Sequence, residues 1–132
     1  GWFLKRLGCF SINQLSPSLS ALRYAIDLIE KEEQLVVFPE GKINKDGKKL
    51  VLKEGLYRLA RLAAKKTDSI IVIPIGIAYS KISPKFRDEF CLSFGKPIVM
   101  NDYLDINVKE FNRLLNKKMN QEEKIALNNV GR

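Results

Sequence analysis

The chain has 132 residues, which is enough for one domain and short for two. Hydrophobic residues make up 45% of it and charged residues 29%, close to the globular average, which excludes wholesale disorder, collagen and coiled coil. No histidine is present, so imidazole is excluded as a general base or metal ligand within this chain. The net charge of +8 favours an anionic partner: a phosphate ester, a nucleic acid or an acidic lipid.

The cysteines and the apolar stretches exclude further classes of protein. Cys9 and Cys91 are far apart and have neither metal-site nor disulfide-framework spacing, so we expect reduced thiols in an intracellular protein. The longest apolar stretch, residues 70–78, is much shorter than the ~20 residues that cross a bilayer. No transmembrane helix is therefore predicted.

The first half of the chain alternates predicted strands and helices. Residues 9–12 read as a short strand, and Ser16-Pro17 is a helix start after which apolar residues recur at helical spacing up to Glu30. The continuous apolar run 35–38 is typical of a strand covered on both faces, and Pro39 ends it. Residues 40–50 form a predicted loop, followed by a helix from about Lys53 to Lys66.

The second half adds two strands and a helix. Residues 70–75 predict another buried strand, and alternation at residues 90–94 predicts a half-exposed one. Asn107 and Glu110 resemble a capping box that opens a last helix, and residues 120–132 are polar enough to fray. Strands separated by helices indicate a single α/β domain over residues 1–132, with a mainly parallel (mixed) sheet flanked by helices.

In such a sheet, functional loops follow the carboxyl ends of the strands, which directs attention to the exit of the run 35–38. Nine basic residues and only two acidic ones lie between Lys42 and Lys66. Lys42 and Lys45 are placed to bind a phosphate, whereas Glu40 suits hydrogen bonds from hydroxyl groups. The pattern therefore suggests a sugar or glycerol phosphate.

A simpler interpretation stays open, because a lysine-rich loop is often merely solvated. The row Arg58, Arg61 and Lys65 is expected to be the solvated face of its helix. The stretch from Gly41 to Lys48 superficially resembles a phosphate-binding P-loop. Its spacing is one residue too long, and Lys49 stands where Ser or Thr is required.

Several segments together resemble the glycerolipid acyltransferase family, which includes the lysophosphatidic acid acyltransferases. Val37-Phe38-Pro39-Glu40-Gly41 is similar to that family's third motif, and Val72-Ile73-Pro74-Ile75-Gly76-Ile77 to its fourth. Between them lie Lys53-Glu54-Gly55 and a helix with Arg58-Leu59-Ala60, in the family's order. Gly8-Cys9-Phe10-Ser11-Ile12 is similar to the second motif. The resemblance covers roughly residues 1–94.

The resemblance implies transfer of a fatty acyl group from acyl-CoA or acyl carrier protein to the hydroxyl of a glycerol phosphate or lysophosphatidate. It implies no metal or bound cofactor. It also implies a substrate-binding segment, in which Glu40 and Gly41 match the motif position by position and Lys45 less directly; the segment consists of Phe38, Pro39, Glu40, Gly41, Lys42 and Lys45. Pro74 is expected to shape the end of its strand rather than to touch a ligand.

The chain departs from the family pattern in three places. The Thr-Arg-Ser that usually follows Phe-Pro-Glu-Gly is replaced by Lys42-Ile43-Asn44, and Gln14 stands at the usual arginine of the second motif. The catalytic His-x-x-x-x-Asp motif, which precedes the second motif in the family, is missing. Because the sequence opens at Gly1, just before the second motif, we expect an amino-terminally truncated domain with little or no activity of its own.

The location follows from the implied substrates. We expect a cytoplasmic protein that is peripheral on the inner face of a membrane, and Trp2, Phe3, Lys5 and Arg6 suit such a surface, although a severed core helix explains them equally well. Two alternatives stay open: a basic nucleic-acid-binding module and a non-catalytic lipid-binding relative. Nucleic acid is not the expected partner, because Trp2, Phe3, Phe38, Phe90 and Phe94 fall in apparent core or terminal segments rather than on a stacking platform.

Overall fold

The computed structural model describes residues 19–40, 51–67 and 69–132 of the chain. These residues combine helices with small sheets and belong to the mixed α/β class. The chain divides into two compact units, Gly1–Asp68 and Ser69–Arg132, each of which is considered by itself. The single domain over residues 1–132 stays a prediction. The predicted strand at residues 9–12 lies outside the described residues.

The first unit contains two amphipathic helices, α1 (Leu19–Glu30) and α2 (Gly55–Lys66). They pack on each other through a small core of Ala25, Ile26 and Leu59. Leu22, Ile29 and Leu35 pack against that core. The apolar residues of α1 recur at helical spacing and so form one stripe, which turns toward α2. Both helices are confirmed, with α2 beginning two residues later than predicted.

The apolar run 35–38 does not form the predicted buried strand. These residues have no regular secondary structure, and Val36 and Phe38 are 78% and 65% exposed. Leu35 alone of the four packs against the core of the unit. A continuous apolar run indicates a strand only where neighbouring strands pair with it, and no described residue does so here.

The second unit contains four short strands: β1 (Ile71–Val72), β2 (Ile75–Tyr79), β3 (Phe90–Phe94) and β4 (Ile98–Val99). They form two antiparallel pairs, β1 with β4 and β2 with β3. Pro74 separates β1 from β2 because proline has no backbone N–H for a sheet ladder. Its carbonyl still accepts a 2.8 Å hydrogen bond from the Gly95 amide.

This pairing corrects two predictions. The expected mainly parallel sheet is not found in the described residues, where both two-stranded sheets are antiparallel. The expected single strand over residues 70–75 is divided at Pro74, and Ile71 and Ile73 are about half exposed rather than buried. A ten-residue connection allows β3 to fold back on β2 as a hairpin, and no crossover helix intervenes. The half-exposed strand at residues 90–94 is confirmed as β3.

A short 3₁₀ helix (Met100–Tyr103) leads to the long helix α3 (Val108–Asn129). The predicted cap is confirmed, because the Asn107 side chain accepts a 2.9 Å hydrogen bond from the Glu110 amide. The tail that was expected to fray after Met119 is helical through Asn129. Ala126 in this segment is fully buried, which shows that the last turns of the helix pack against the rest of the unit.

Helix α3 packs on the β2–β3 hairpin at a glycine. A Cβ placed on Gly76 would lie 2.2 Å from the carbonyl carbon of Glu122 and 2.3 Å from the Glu123 amide nitrogen. Both are backbone atoms, so no side chain can move aside to relieve the clash. The close approach of helix and strand therefore requires glycine at this position.

We predict that Gly76→Ala lowers the free energy of unfolding by about 3 kcal/mol, the upper range for overpacking of a rigid site. Urea denaturation followed by circular dichroism measures it. The matched control is Gly55→Ala in the first turn of α2, where a Cβ meets nothing within 4 Å and is expected to stabilise slightly. Equal stability of the two variants would contradict the close packing.

Candidate functional site

The site predicted from sequence is only partly within the described residues. Phe38, Pro39 and Glu40 are described, whereas Gly41, Lys42 and Lys45 lie outside. Phe38 is 65% exposed, Pro39 is buried and Glu40 is half-buried. The segment thus consists of an exposed apolar side chain, a buried proline and a partly exposed carboxylate, in that order.

A backbone hydrogen bond joins the two ends of the predicted basic loop. The Lys53 amide donates to the Pro39 carbonyl at 2.7 Å, which brings the chain before Glu40 next to the chain that starts α2. Leu52, beside this bond, is buried, and so holds the returning chain to the unit. Pro39, just before Glu40, and Lys53, just before α2, are therefore adjacent in the first unit.

The basic side chains on α2 interact locally. Arg58 donates a 2.7 Å hydrogen bond to Glu54, and both side chains are more than half exposed, so this ion pair adds little stability. The Arg61 guanidinium donates to the Tyr57 hydroxyl at 3.1 Å. Arg58, Arg61 and Lys65 are all exposed, which confirms the predicted solvated face of the helix.

In the described part of the predicted site, Phe38 to Glu40, the functional group is a carboxylate, which accepts hydrogen bonds. The carboxylate oxygens of Glu40 can accept hydrogen bonds, and hydroxyl groups of a polyol are suitable donors. Among residues 19–40, 51–67 and 69–132, no three His, Cys, Asp or Glu side chains converge as a metal site. Within the same ranges, no helix has both the length and the apolar composition to cross a membrane.

The second unit contains a cleft that the sequence did not point to. Its volume is about 290 Å³, and it is lined by Pro74, Gly95, Lys96, Lys118, Gln121 and Glu122. Glu122 also accepts a hydrogen bond from the Ser93 hydroxyl, which ties the carboxylate to the sheet. Pro74 thus lies at the break between β1 and β2 and on the wall of a polar cleft. No spacing in the sequence brings residues 74, 96 and 118 together.

The chain belongs to the acyltransferase family, because residues 1–78, more than half of its length, match the family model described as Acyltransferase. That match includes Phe38-Pro39-Glu40-Gly41 and the segment from Val72 to Ile77. The family resemblance stated from the motifs is therefore confirmed.

A curated relative gives the same class. The chain is 25% identical over 118 residues to a 1-acyl-sn-glycerol-3-phosphate acyltransferase of Streptococcus pneumoniae (strain ATCC BAA-255 / R6). The aligned region covers 89% of this chain and 42% of that relative, so the chain spans less than half the length of the relative it matches. No solved structure matches significantly.

We predict that removing the Lys53 amide hydrogen opens the joined loop ends. Lys53→Pro, which lacks the donor, should lower the free energy of unfolding by about 1 kcal/mol or more relative to Lys53→Ala, which keeps it. Thermal unfolding of the two variants measures the difference. If they melt together, the hydrogen bond to Pro39 does not hold the loop ends.

Proposed function

We propose that this chain is part of a glycerolipid acyltransferase and carries its acceptor-binding segment. The reaction is transfer of a fatty acyl group from acyl-CoA or acyl carrier protein to a hydroxyl of glycerol phosphate or lysophosphatidate. The observation that carries the proposal is the coincidence of a family motif, Phe38-Pro39-Glu40-Gly41, with an accessible carboxylate at the joined ends of a lysine-rich segment.

Glu40 is the proposed partner of the acceptor's hydroxyl groups. It follows Pro39, whose carbonyl is fixed by the Lys53 amide, so the carboxylate starts from a held backbone position. Orientation of an attacking hydroxyl lowers the entropic part of the barrier, which is what a positioned acceptor residue supplies. Phe38, exposed beside it, offers apolar surface to the acyl part of the substrates.

Lys42 and Lys45 are the proposed phosphate ligands, with Gly41 between them and the carboxylate. Lysine binds phosphate through a charge-assisted hydrogen bond, and each such bond contributes about 1.5–3 kcal/mol. These three positions rest on the sequence pattern alone, since they lie outside the described residues. The pairing of one carboxylate with several cations distinguishes a polyol phosphate from a simple anion.

The catalytic base of the proposed reaction is not among these 132 residues. General-base catalysis typically contributes about 10²–10⁴-fold in rate. The family's histidine motif has no counterpart here, because the chain contains no histidine. We therefore propose that this chain binds the acceptor but, by itself, transfers acyl groups slowly or not at all.

We further propose a cytoplasmic protein in peripheral contact with the inner face of a membrane. Lysophosphatidate is a membrane lipid, so an enzyme acting on it must reach the bilayer surface. The net charge of +8 supports attraction to anionic lipid.

A basic nucleic-acid-binding module remains the second candidate, and one observation favours it. Phe38, Phe90 and Phe94 are 62–65% exposed, so the expectation that these aromatic residues lie in core segments is wrong. Exposed aromatic rings are one of the elements with which proteins stack on nucleic-acid bases. A filter-binding titration separates the two functions, because RNA binding that weakens steeply with salt favours the module.

The test of the main proposal is acyl transfer by the protein expressed from its whole gene. Glu40→Gln removes the negative charge and one acceptor oxygen, and we expect turnover with glycerol phosphate or lysophosphatidate to fall at least about tenfold. The matched control is Glu33→Gln, an exposed acidic residue shortly after α1, which should retain the original rate. Unchanged turnover in Glu40→Gln would contradict the assigned site.

A further inference from the structure

The loop between β2 and β3, residues 80–89 and here called the hairpin loop, exposes its apolar side chains almost completely. Ile82 is 88% exposed and Phe86 is 91% exposed. These are the largest exposed fractions of any large hydrophobic side chain in the described part of the chain. Single exposed apolar residues are common, but two at the tip of one loop form a protruding apolar pair.

Hydrogen bonds within the hairpin loop join its base and its tip. The Ser80 amide donates to the Glu89 carbonyl at 2.9 Å and closes the base of the loop. At the tip, the Asp88 amide donates to the Lys85 carbonyl at 3.0 Å, and the Lys85 amide donates to the Asp88 carboxylate at 2.6 Å. Lys81 forms a 3.2 Å ion pair with the same carboxylate.

These contacts have an electrostatic signature. The hydrogen bond from the Lys85 amide, and then the contact with Lys81, lowers the pKa of Asp88 below its ordinary value of 3.8. Asp88 therefore stays ionised at pH values above 3.8, where it keeps its contacts with Lys85 and Lys81. Stability from this carboxylate is lost only as the pH falls below 3.8 through its lowered pKa.

The backbone at the tip has one residue in an unusual conformation. Arg87 has a φ of 72°, in the left-handed region that residues other than glycine seldom adopt. The Arg87 guanidinium lies 5.6 Å from the centre of the Phe86 ring. An aromatic ring and a cation therefore lie side by side at the exposed tip of the loop.

The charges around the apolar pair favour an anionic partner. Lys81 is paired with Asp88, and no acidic side chain in the described residues forms an ion pair with Lys85 or Arg87. At the base of the hairpin, Arg132 donates a 2.9 Å hydrogen bond to the Tyr79 carbonyl and adds another cation. Glu89 is the one further acidic residue of the loop.

We propose that the hairpin loop docks on an anionic lipid surface, with Ile82 and Phe86 in the headgroup region and Lys85 and Arg87 at lipid phosphates. Apolar tips flanked by cations bind such surfaces because both apolar burial and charge attraction contribute. A bilayer accepts an aliphatic side chain as readily as an aromatic one. An RNA base stacks on aromatic rings rather than on an aliphatic side chain such as Ile82. The Phe86 ring is already in contact with the Arg87 guanidinium. The inference assigns the membrane contact of the proposed function to a particular loop, and it rests on that proposed function.

The test is co-sedimentation of the 132-residue chain with vesicles of phosphatidylcholine, with and without phosphatidylglycerol. Ile82→Gln/Phe86→Gln should lower the partition coefficient on anionic vesicles at least about tenfold, because it removes the buried apolar surface. The matched control is Ile125→Gln, a half-exposed residue of α3, which should bind like the original chain. Circular dichroism verifies that both variants keep their fold.

A second pair of changes tests the charges. Lys85→Gln/Arg87→Asn keeps a residue that tolerates positive φ at the tip. It should weaken binding to anionic vesicles and reduce its dependence on salt, with little effect on neutral vesicles. Loss of this selectivity is specific to an electrostatic contact and does not follow from unfolding.

Three outcomes would overturn the inference. The first is equal vesicle binding by the hairpin-loop variant and the Ile125 control. The second is binding that disappears in Trp2→Gln/Phe3→Gln and survives in the loop variants. The third is RNA binding, rather than vesicle binding, that depends on Ile82 and Phe86. Vesicle binding does not depend on catalytic turnover, so its result can be interpreted even if the acyl-transfer test fails.

Discussion

One backbone hydrogen bond, from the Lys53 amide to the Pro39 carbonyl, determines how the proposed acceptor site is presented. It brings together the residues on either side of the predicted basic loop. Glu40 directly follows Pro39, the buried proline whose carbonyl accepts this hydrogen bond. A glycerol phosphate is small, so a carboxylate and cations can act on it together only if they lie close to one another. The family motif and the start of α2 are thereby parts of one arrangement rather than separate signals.

The other motif segment has a mainly structural explanation. Val72 to Ile77 contains Pro74, which separates β1 from β2, and Gly76, which lets the backbone of α3 approach the hairpin. A proline that interrupts a ladder and a glycine under a helix are requirements of packing. Residues that identify a family need not touch its substrate. The most exposed large hydrophobic side chains described in this unit, Ile82 and Phe86, lie instead in the hairpin loop.

Local signals in the sequence predicted local structure well. The stripe of α1, the inward face of α2 and the Asn107 cap follow from spacing and side-chain hydrogen bonding within a few residues. The partners of the apolar runs could not be predicted, because hydrophobicity at residues 35–38 or 70–75 does not say which strand, if any, lies alongside. The same limit hid the exposure of Phe90 and Phe94. For the site, the sequence singled out Glu40 by its motif, whereas the contact between Pro39 and Lys53 required coordinates.

The central claim is that glycerol phosphate binds at the segment that begins with Phe38 and Glu40. The most direct measurement is nuclear magnetic resonance of the ¹⁵N-labelled chain during titration with glycerol 3-phosphate, followed through each backbone amide. The account predicts saturable shifts concentrated at Phe38 and residues 40–45, with smaller ones at Lys53 across the hydrogen bond. Shifts confined to the cleft beside Pro74, or equal shifts with inorganic sulfate, would contradict it.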